Sequence, residues 1–545
     1  MTVTLFEFFY KESESQKNQI FMMALFSGIS SGLLLALINA GAETVSHQED
    51  QARFFLLYIV SFILYIYTQR FTLSQTIIAF EEAIRRVRIR IADKIRRTDL
   101  LFIEGNERGE IHTGLTQGSS VVSGAAIPIV SSAQSAIVLA FNLVYIAWLS
   151  FSSFLLISLT ISSALFWHLA TRRKIAQELQ EATLTESRFF NMLSQILDGF
   201  KEIKVNQRKS DDLFQQVKNI SVENENLKVK AGIQSISLVM FSRVMLYLLL
   251  ALIVFIIPIF NSAHTEIIFK LTASVLFIMG PVNIIIFNLP ILARAHVALK
   301  NLYALESKLD TVISKDEQTE TPIVPPTLFK EIRLSEISFD YVDQQGNSLF
   351  SLGPINLTIQ PGELLFIVGG NGSGKSTLLK LLAGLYHPSQ GSLYRDDEEI
   401  DQTNYQSYRE FFSVVFADFH LFDKLYGLSE AEVPRLKSLL REMELDKKTK
   451  YVNGRFTHLD LSQGQRKRLA FIVAVLENKP IYIFDELAAD QDPRFRKYFY
   501  EIVLKDLKQQ GKTLIVVSHD DRYFHIADRL LKMEYGQLVN HPENS

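Results

Sequence analysis

Residues 369–377 read GGNGSGKST. The stretch fits GxxxxGK[ST], follows an apolar strand at Leu364–Val368, and runs into a helix starting at Ser376. Across Gly369, Gly370, Asn371, Gly372, Ser373 and Gly374 the backbone N–H groups can close on phosphates, and a helix N-terminus adds partial positive charge. Lys375 is placed to reach the β- and γ-phosphates and Ser376 to hold Mg²⁺, with Thr377 closing the motif. A second apolar strand ends in two carboxylates, PIYIFDELAAD at 480–490. Asp485 there suits Mg²⁺ and Glu486 suits the polarisation of an attacking water, the two needs of phosphoryl transfer. A third, TLIVVSHDDRYF at 513–524, ends at Ser518-His519. A lone histidine at a strand end is more often structural, but with Glu486 upstream the expectation is a γ-phosphate contact from His519. Three such strand ends should converge at one edge of a parallel sheet, where α/β folds bind ligands.

A fourth stretch, DLSQGQRKRLAFIVA at 460–474, is ambiguous. Its Ser-Gln-Gly before a helix suggests a phosphate, and its three cations suggest nucleic acid. Composition weighs against the second reading. Formal net charge is −3, whereas nucleic-acid binders are usually basic. The 545 residues allow two or more domains, and 48% hydrophobic against 21% charged residues points to a membrane part joined to a soluble part. The chain has no cysteine, which excludes disulfides, thiolate metal sites and a cysteine nucleophile.

The apolar residues are concentrated in residues 18–292. Six runs, at 18–42, 54–76, 122–147, 151–171, 233–260 and 266–290, approach the ~20 residues that cross a bilayer as a helix. The first is expected to be a retained span rather than a secretory leader: its apolar core is long, and Glu7, Glu12 and Glu14 precede it. Lysine and arginine crowd the segments after the second run and between the fourth and fifth, while the opposite loops hold little beyond Arg53. Both termini are therefore expected on the cytoplasmic side. The spans should continue as helices below the membrane, with bends near Leu101–Arg108 and Glu202–Lys209 facing a cytoplasmic partner. Arg70, Arg243, Lys270, Asn283 and Asn288 sit in or beside the runs. The two arginines are expected to snorkel or reach water; lining a cavity for an anionic substrate is the alternative. The acidic, proline-rich segment around 315–329 marks a boundary. The division is a membrane domain at 1–310, a linker at 311–329, and a soluble domain at 330–545.

With the LSQGQ of Leu461–Gln465 lying about twenty residues before the Asp-Glu strand, residues 330–540 resemble the ATP-binding cassette family. The resemblance implies a six-helix α transmembrane domain of the type I exporter-like (type IV) kind, followed by an α/β P-loop nucleotide-binding domain. It implies that Tyr341 stacks on adenine. It also implies that Ser462, Gln463, Gly464 and Gln465 meet ATP held by another cassette, and that AADQD at 488–492 is the D-loop, with Asp492 its acid. One cassette cannot complete a two-ATP sandwich, so a dimer follows, with a homodimer the simpler form. The Arg466–Arg468 cluster then reads as helix-surface charge, and nucleic acid is not an expected partner. Ala417 stands where exporter cassettes usually carry glutamine, and Asp418 adjoins it. The stretch from Ala417 to Leu461 is short, implying a reduced helical subdomain. FADFHLFD, LSQGQRKRLA and FDELAADQDP resemble the exporters of cyclic peptides and siderophores, including pyoverdine, syringomycin-type lipopeptides and microcin. That implies export of a peptide-like product across a bacterial inner membrane. Uptake of a metal–siderophore complex, or lipid or drug export, by the same architecture stays open.

Overall fold

Apolar runs longer than a bilayer is thick become helices longer than a bilayer is thick. The computed structural model describes residues 5–12, 17–46, 52–105, 111, 114–256, 265–312, 329–343, 347–401 and 403–540. Arg108, most of the expected linker and the loop around 261–264 lie outside the described residues. The chain forms two compact units, Met1–Ala92 with Gly109–Glu306, and Asp93–Arg108 with Ser307–Ser545. The short segment around the first bend thus groups with the second unit, which a linear division of the sequence does not anticipate.

In the first unit the main helices are Lys17–Ser46, Ala52–Arg96, Ala126–Leu149, Phe151–Asp198, Gln207–Ala251 and Thr265–Val312. Among the described residues, five helical stretches are long and apolar enough to cross a membrane. The remaining expected run is a shorter apolar stretch, Phe151–Ser163, at the head of a 48-residue helix. At 1.5 Å per residue the 45-residue helix Ala52–Arg96 is about 65 Å long, roughly twice a hydrocarbon core. One face of it exposes Phe55, Leu56, Val60, Ile63 and Tyr67, a surface suited to lipid. The opposite face buries Thr68, Thr72 and Thr76. Each of these hydroxyls donates to the carbonyl four residues back, at 2.7, 2.7 and 2.8 Å, so none of the three faces the apolar interior unmatched. Ile146, Ile157, Leu249, Ile253, Leu271 and Val275 form the apolar core where four helices meet. Beyond it, Phe151–Asp198 and Gln207–Ala251 are joined by the ion pairs Glu186–Lys228 (3.0 Å) and Glu178–Lys230 (3.2 Å). The second bend is a six-residue helix, Phe200–Val205, between Gly199 and Asn206. The Asn206 side chain caps the next helix by accepting from the Lys209 N–H.

Of the polar groups singled out in the runs, Asn283 keeps a buried Oδ1 with no hydrogen-bond partner among the described residues. Arg70 and Arg243 are exposed on their helices. Lys270 pairs with Glu43 at 2.6 Å, and Asn288 donates to Ser131 and Ser132 at 2.9 and 3.0 Å.

In the second unit, β1 (Ile332–Val342), β2 (Ser348–Ile359), β4 (Gln390–Arg395) and β5 (Glu398–Ile400) form an antiparallel sheet in the order β2-β1-β4-β5. A six-stranded sheet holds β3 (Leu364–Gly369), β6 (Phe412–Val415), β9 (Ile481–Asp485), β10 (Thr513–Val517), β11 (Arg529–Glu534) and β12 (Gln537–Asn540). Its order is β12-β11-β3-β10-β9-β6, with only β12 antiparallel to its neighbour. A two-residue hairpin, β7 (Tyr451–Val452) and β8 (Arg455–Phe456), completes the set. All residues of β9 and β10 are buried, which is why they read as unbroken apolar runs. The subdomain between Ala417 and Leu461 contains a single α-helix, Val433–Glu442, of ten residues.

Phe484, fully buried on β9, packs its ring against Phe471 and Phe499 at 5.5 and 5.8 Å. We expect Phe484→Ala to cost the cassette about 3–5 kcal/mol, seen as a lower melting transition of the soluble unit. An unchanged transition would contradict the packing described.

Candidate functional site: a phosphate loop, an acidic strand end and a signature helix

Pairing of β10 between β3 and β9 sets the site. Val517 is in register with Ile367 on one side and Asp485 on the other, so the three strands end level. The phosphate loop leaves β3 through Gly369 (φ +150°), Gly372 (φ +76°) and Gly374 (φ +102°). At Gly369 a Cβ would lie 2.3 Å from the Met533 carbonyl, so only glycine fits the start of the loop. The helix Lys375–Leu382 begins directly after it. Lys375 folds over the loop and donates to the Gly369 and Gly370 carbonyls, both at 2.9 Å. Burial pulls the Lys375 ammonium below its ordinary pKa.

Ser376 donates to Asp485 at 3.0 Å, bringing together the two residues expected at a metal ion. Asp485 also accepts from the Ala417 N–H, and burial raises its carboxyl above the usual range. A hydroxyl and a buried carboxylate are hard oxygen donors, a fitting pair for Mg²⁺. No cluster of three or more His, Cys, Asp or Glu ligands exists among the described residues, so such an ion would be held jointly with phosphate oxygens. Bound there, it would neutralise charge on the phosphates.

Glu486 follows with φ +52°, a left-handed conformation that is uncommon outside glycine and typical of functional turns. Its N–H donates to the Val517 carbonyl at 3.2 Å, and its carboxylate meets His519 Nε2 at 3.0 Å. A cleft of about 370 Å³ is lined by Tyr341, Phe350, Asn371–Thr377 and Glu486. A second, of about 360 Å³, is lined by Glu486, His519 and the Ala488–Ala489 segment among others. Glu486 therefore forms a wall of both.

Phe350 was not evident from the sequence. It lies on β2, whose alternation shows a strand but not which aromatic reaches the phosphate loop. Tyr341 donates to the Tyr386 hydroxyl at 3.1 Å, and Tyr386 bonds to Glu104, on the helix Leu100–Glu104. Burial and these bonds hold the Tyr386 phenol well above its ordinary pKa. Lys380, five residues beyond Lys375, pairs with Glu104 at 2.8 Å. Tyr386, which Tyr341 reaches, and Lys380 on the phosphate-loop helix thus share Glu104 on the first bend. Ala417 and Asp418 are both exposed, and neither lines either of these two clefts. Ala417 contributes through its N–H to Asp485, a role invisible in residue type.

Ser462, Gln463, Gly464, Gln465 and Asp492 line neither cleft. Ser462 and Gln465 form a reciprocal cap at the start of the helix Gln463–Glu477. Asp492 likewise caps the helix Pro493–Tyr498: it accepts from the Phe495 N–H and bonds Arg468 at 2.7 Å. The Phe495 N–H bond is the first cause of its lowered pKa. The reading of Arg466–Arg468 as surface charge needs correction. Only Arg466 is exposed. Lys467 is 4% exposed and bonds the Glu486 carbonyl and Asp490. Arg468 lies over the Phe495 ring at 3.9 Å and donates to Gln491 at 2.9 Å. The helical period of 3.6 turned two of the three cations inward, and their acidic and amide partners on 490–492 follow too far along the chain for a local pattern to show.

The fold and site define a membrane-embedded helical unit joined to a nucleotide-hydrolysing cassette. The ABC transporter family model matches residues 352–489. The chain is 32% identical over 535 residues to the ATP-binding protein SyrD of Pseudomonas syringae pv. syringae, covering 95% of this chain and 93% of that one. It is 24% identical over 548 residues to an ATP-dependent lipid A-core flippase of Methylobacillus flagellatus, covering 95% and 90%. A solved bacterial Atm1-family ABC exporter with ATP bound superposes with a TM-score of 0.79 at 17% identity, covering 96% of this chain and 95% of that one. The chain belongs to the ABC transporter family.

Gly464 tests how tightly the signature helix sits. A Cβ there would lie 2.8 Å from the Asp490 carbonyl. We expect Gly464→Ala to lower ATP hydrolysis about tenfold while binding of a fluorescent ATP analogue stays within about twofold. Equal losses in both would place Gly464 in the cleft itself.

Proposed function

We propose that the chain exports a peptide-like natural product, a cyclic peptide, lipopeptide or siderophore, across a bacterial inner membrane, as an ATP-driven homodimer. The observation that carries the two-copy arrangement is the separation within one cassette. Tyr341, the phosphate loop and Glu486 share a cleft, whereas Ser462 and Gln463 stand exposed outside it. A second copy would bring its Ser462 and Gly464 to the γ-phosphate held by Lys375 and Ser376, and the reverse contact would close the other site.

In this reading Tyr341 stacks on adenine, the backbone of 369–374 and Lys375 hold the phosphates, and Ser376 and Asp485 hold Mg²⁺. Glu486 orients the attacking water, and His519, already bonded to Glu486, faces the γ-phosphate. Little covalent chemistry is required of the protein, so positioning and charge stabilisation carry the rate. Closing the two cassettes would move the bends at Leu100–Glu104 and Phe200–Val205 and so turn the membrane cavity outward; hydrolysis would reset it. Both termini and the cassette would be cytoplasmic, following the lysine and arginine distribution.

The choice of cargo class rests on the resemblance in sequence. A probable syringafactin export protein, SyfD of Pseudomonas syringae pv. syringae strain B728a, is 32% identical over 201 residues, 35% of this chain and 31% of that one. Membership of the wider family would leave the cargo open.

Glu486→Gln is expected to lower turnover by about 100-fold or more and to trap an ATP-bound dimer, measured by phosphate release and size-exclusion chromatography. Normal hydrolysis in that variant would overturn the assignment of Glu486. Comparing the secreted peptides of a deletion strain with its parent by mass spectrometry tests the cargo class; identical profiles would contradict it.

A further inference from the structure

Lys467 is a buried cation that the reading of the site does not use. Its side chain is 5% exposed, and its ammonium has two partners, the Glu486 carbonyl at 2.8 Å and Asp490 at 2.6 Å. Burying an ammonium is costly unless it is paired and hydrogen-bonded, and both conditions are met here. The carbonyl it holds belongs to the residue with φ +52°. Such a conformation persists only where its surroundings over-determine it. Three bonds fix this turn: the Glu486 N–H to Val517, the Ala489 N–H to the Glu486 carbonyl at 3.2 Å, and Lys467 to that same carbonyl.

Lys467 also lies on the helix that starts at Ser462. That helix is tied to the D-loop at further points. Gln491 donates to the Gly464 carbonyl at 2.9 Å and accepts from Arg468 at 2.9 Å. Glu486 through Lys467, and the D-loop through Gln491, are thereby hydrogen-bonded to the helix that carries the residues reaching for another copy's nucleotide.

We propose that Lys467 is a positioning residue for hydrolysis. It sets the backbone of Glu486 and links it to the helix of Ser462, so that seating Ser462 on the second copy's ATP brings the carboxylate of Glu486 into line over its own. This rests on the two-copy sandwich proposed above. Lys467 lines neither cleft, so the proposal gives it no contact with nucleotide.

The test is steady-state ATPase of the full chain in nanodiscs. Lys467→Met keeps an unbranched apolar side chain, one atom shorter, and removes its donors. It is expected to lower kcat about tenfold or more while KM for ATP stays within about twofold. Lys467→Gln keeps a donor on a shorter stem and is expected to recover part of that loss. Melting curves show whether each variant folds. A kcat within twofold of the parent in Lys467→Met, or losses in both variants that only follow a shared drop in melting temperature, overturns the proposal. Should Lys467→Met not fold, Lys467→Gln carries the test: a lowered kcat at constant KM supports the proposal and an unchanged kcat overturns it. Trapping of the Glu486→Gln dimer is a separate measurement. Its absence would remove the sandwich, whereas its presence beside an unaffected Lys467→Met would remove only the role of Lys467.

Discussion

The register of three parallel strands is the constraint on which the site depends. Val517 pairs with Ile367 and Asp485, so β3, β10 and β9 end at one level. A one-residue slip in a strand would turn its side chains to the other face. It would also separate Ser376 from Asp485 and Glu486 from His519, which now meet at 3.0 Å each. Asp485 apart, the register is held by residues with no chemistry of their own. Every side chain of β9 and β10 is buried, and apolar layers cover both faces of the sheet. The apolar strands are what bring a hydroxyl, two carboxylates and an imidazole within reach of one another.

A second layer of order comes from polar groups. Lys467, Arg468 and Gln491 join the start of the signature helix to the turn after β9. Arg496 holds the same turn from the other side, donating to the Ala489 and Gln491 carbonyls at 3.2 Å and to Asp520 at 3.3 Å. The loop between Glu486 and Asp492 is therefore clamped between the helix of Ser462 and the segment following His519. Buried, hydrogen-bonded charge of this kind contributes geometry more surely than it contributes stability. At a phosphoryl-transfer site, geometry is what the rate requires.

Much of this was legible in the sequence, for physical reasons. GGNGSGKST needs its glycines for positive φ and close backbone approach, so the motif and the geometry are one constraint seen twice. The buried strands had to be apolar, and the acids and histidine at their ends had to stand out against that background. The transmembrane runs were visible because lipid leaves no other use for them. What was hidden depends on which way a side chain faces after folding. Lys467 and Arg466 are adjacent and both basic, yet one is buried and the other exposed. Phe350 joins the cleft only because β2 pairs with β1, Tyr341 opposite Phe350. The Tyr386–Glu104 contact spans 282 positions. Asp492 read as the acid of the D-loop; its cap on the helix Pro493–Tyr498 and its bond to Arg468, 24 positions earlier, do not show in residue type.

The central claim is that each ATP site is completed by a second copy of the chain. The absence of cysteine allows a direct measurement, since any introduced pair stands alone. Asn371→Cys lies in the phosphate-loop cleft and Gln463→Cys on the exposed start of the signature helix. The two single variants, each also carrying Glu486→Gln and co-purified from one membrane, are oxidised with and without ATP. The account predicts a disulfide-linked dimer that forms with ATP and is lost on reduction. No cross-linked dimer under ATP, alongside a double-cysteine chain that closes only upon itself, would contradict it.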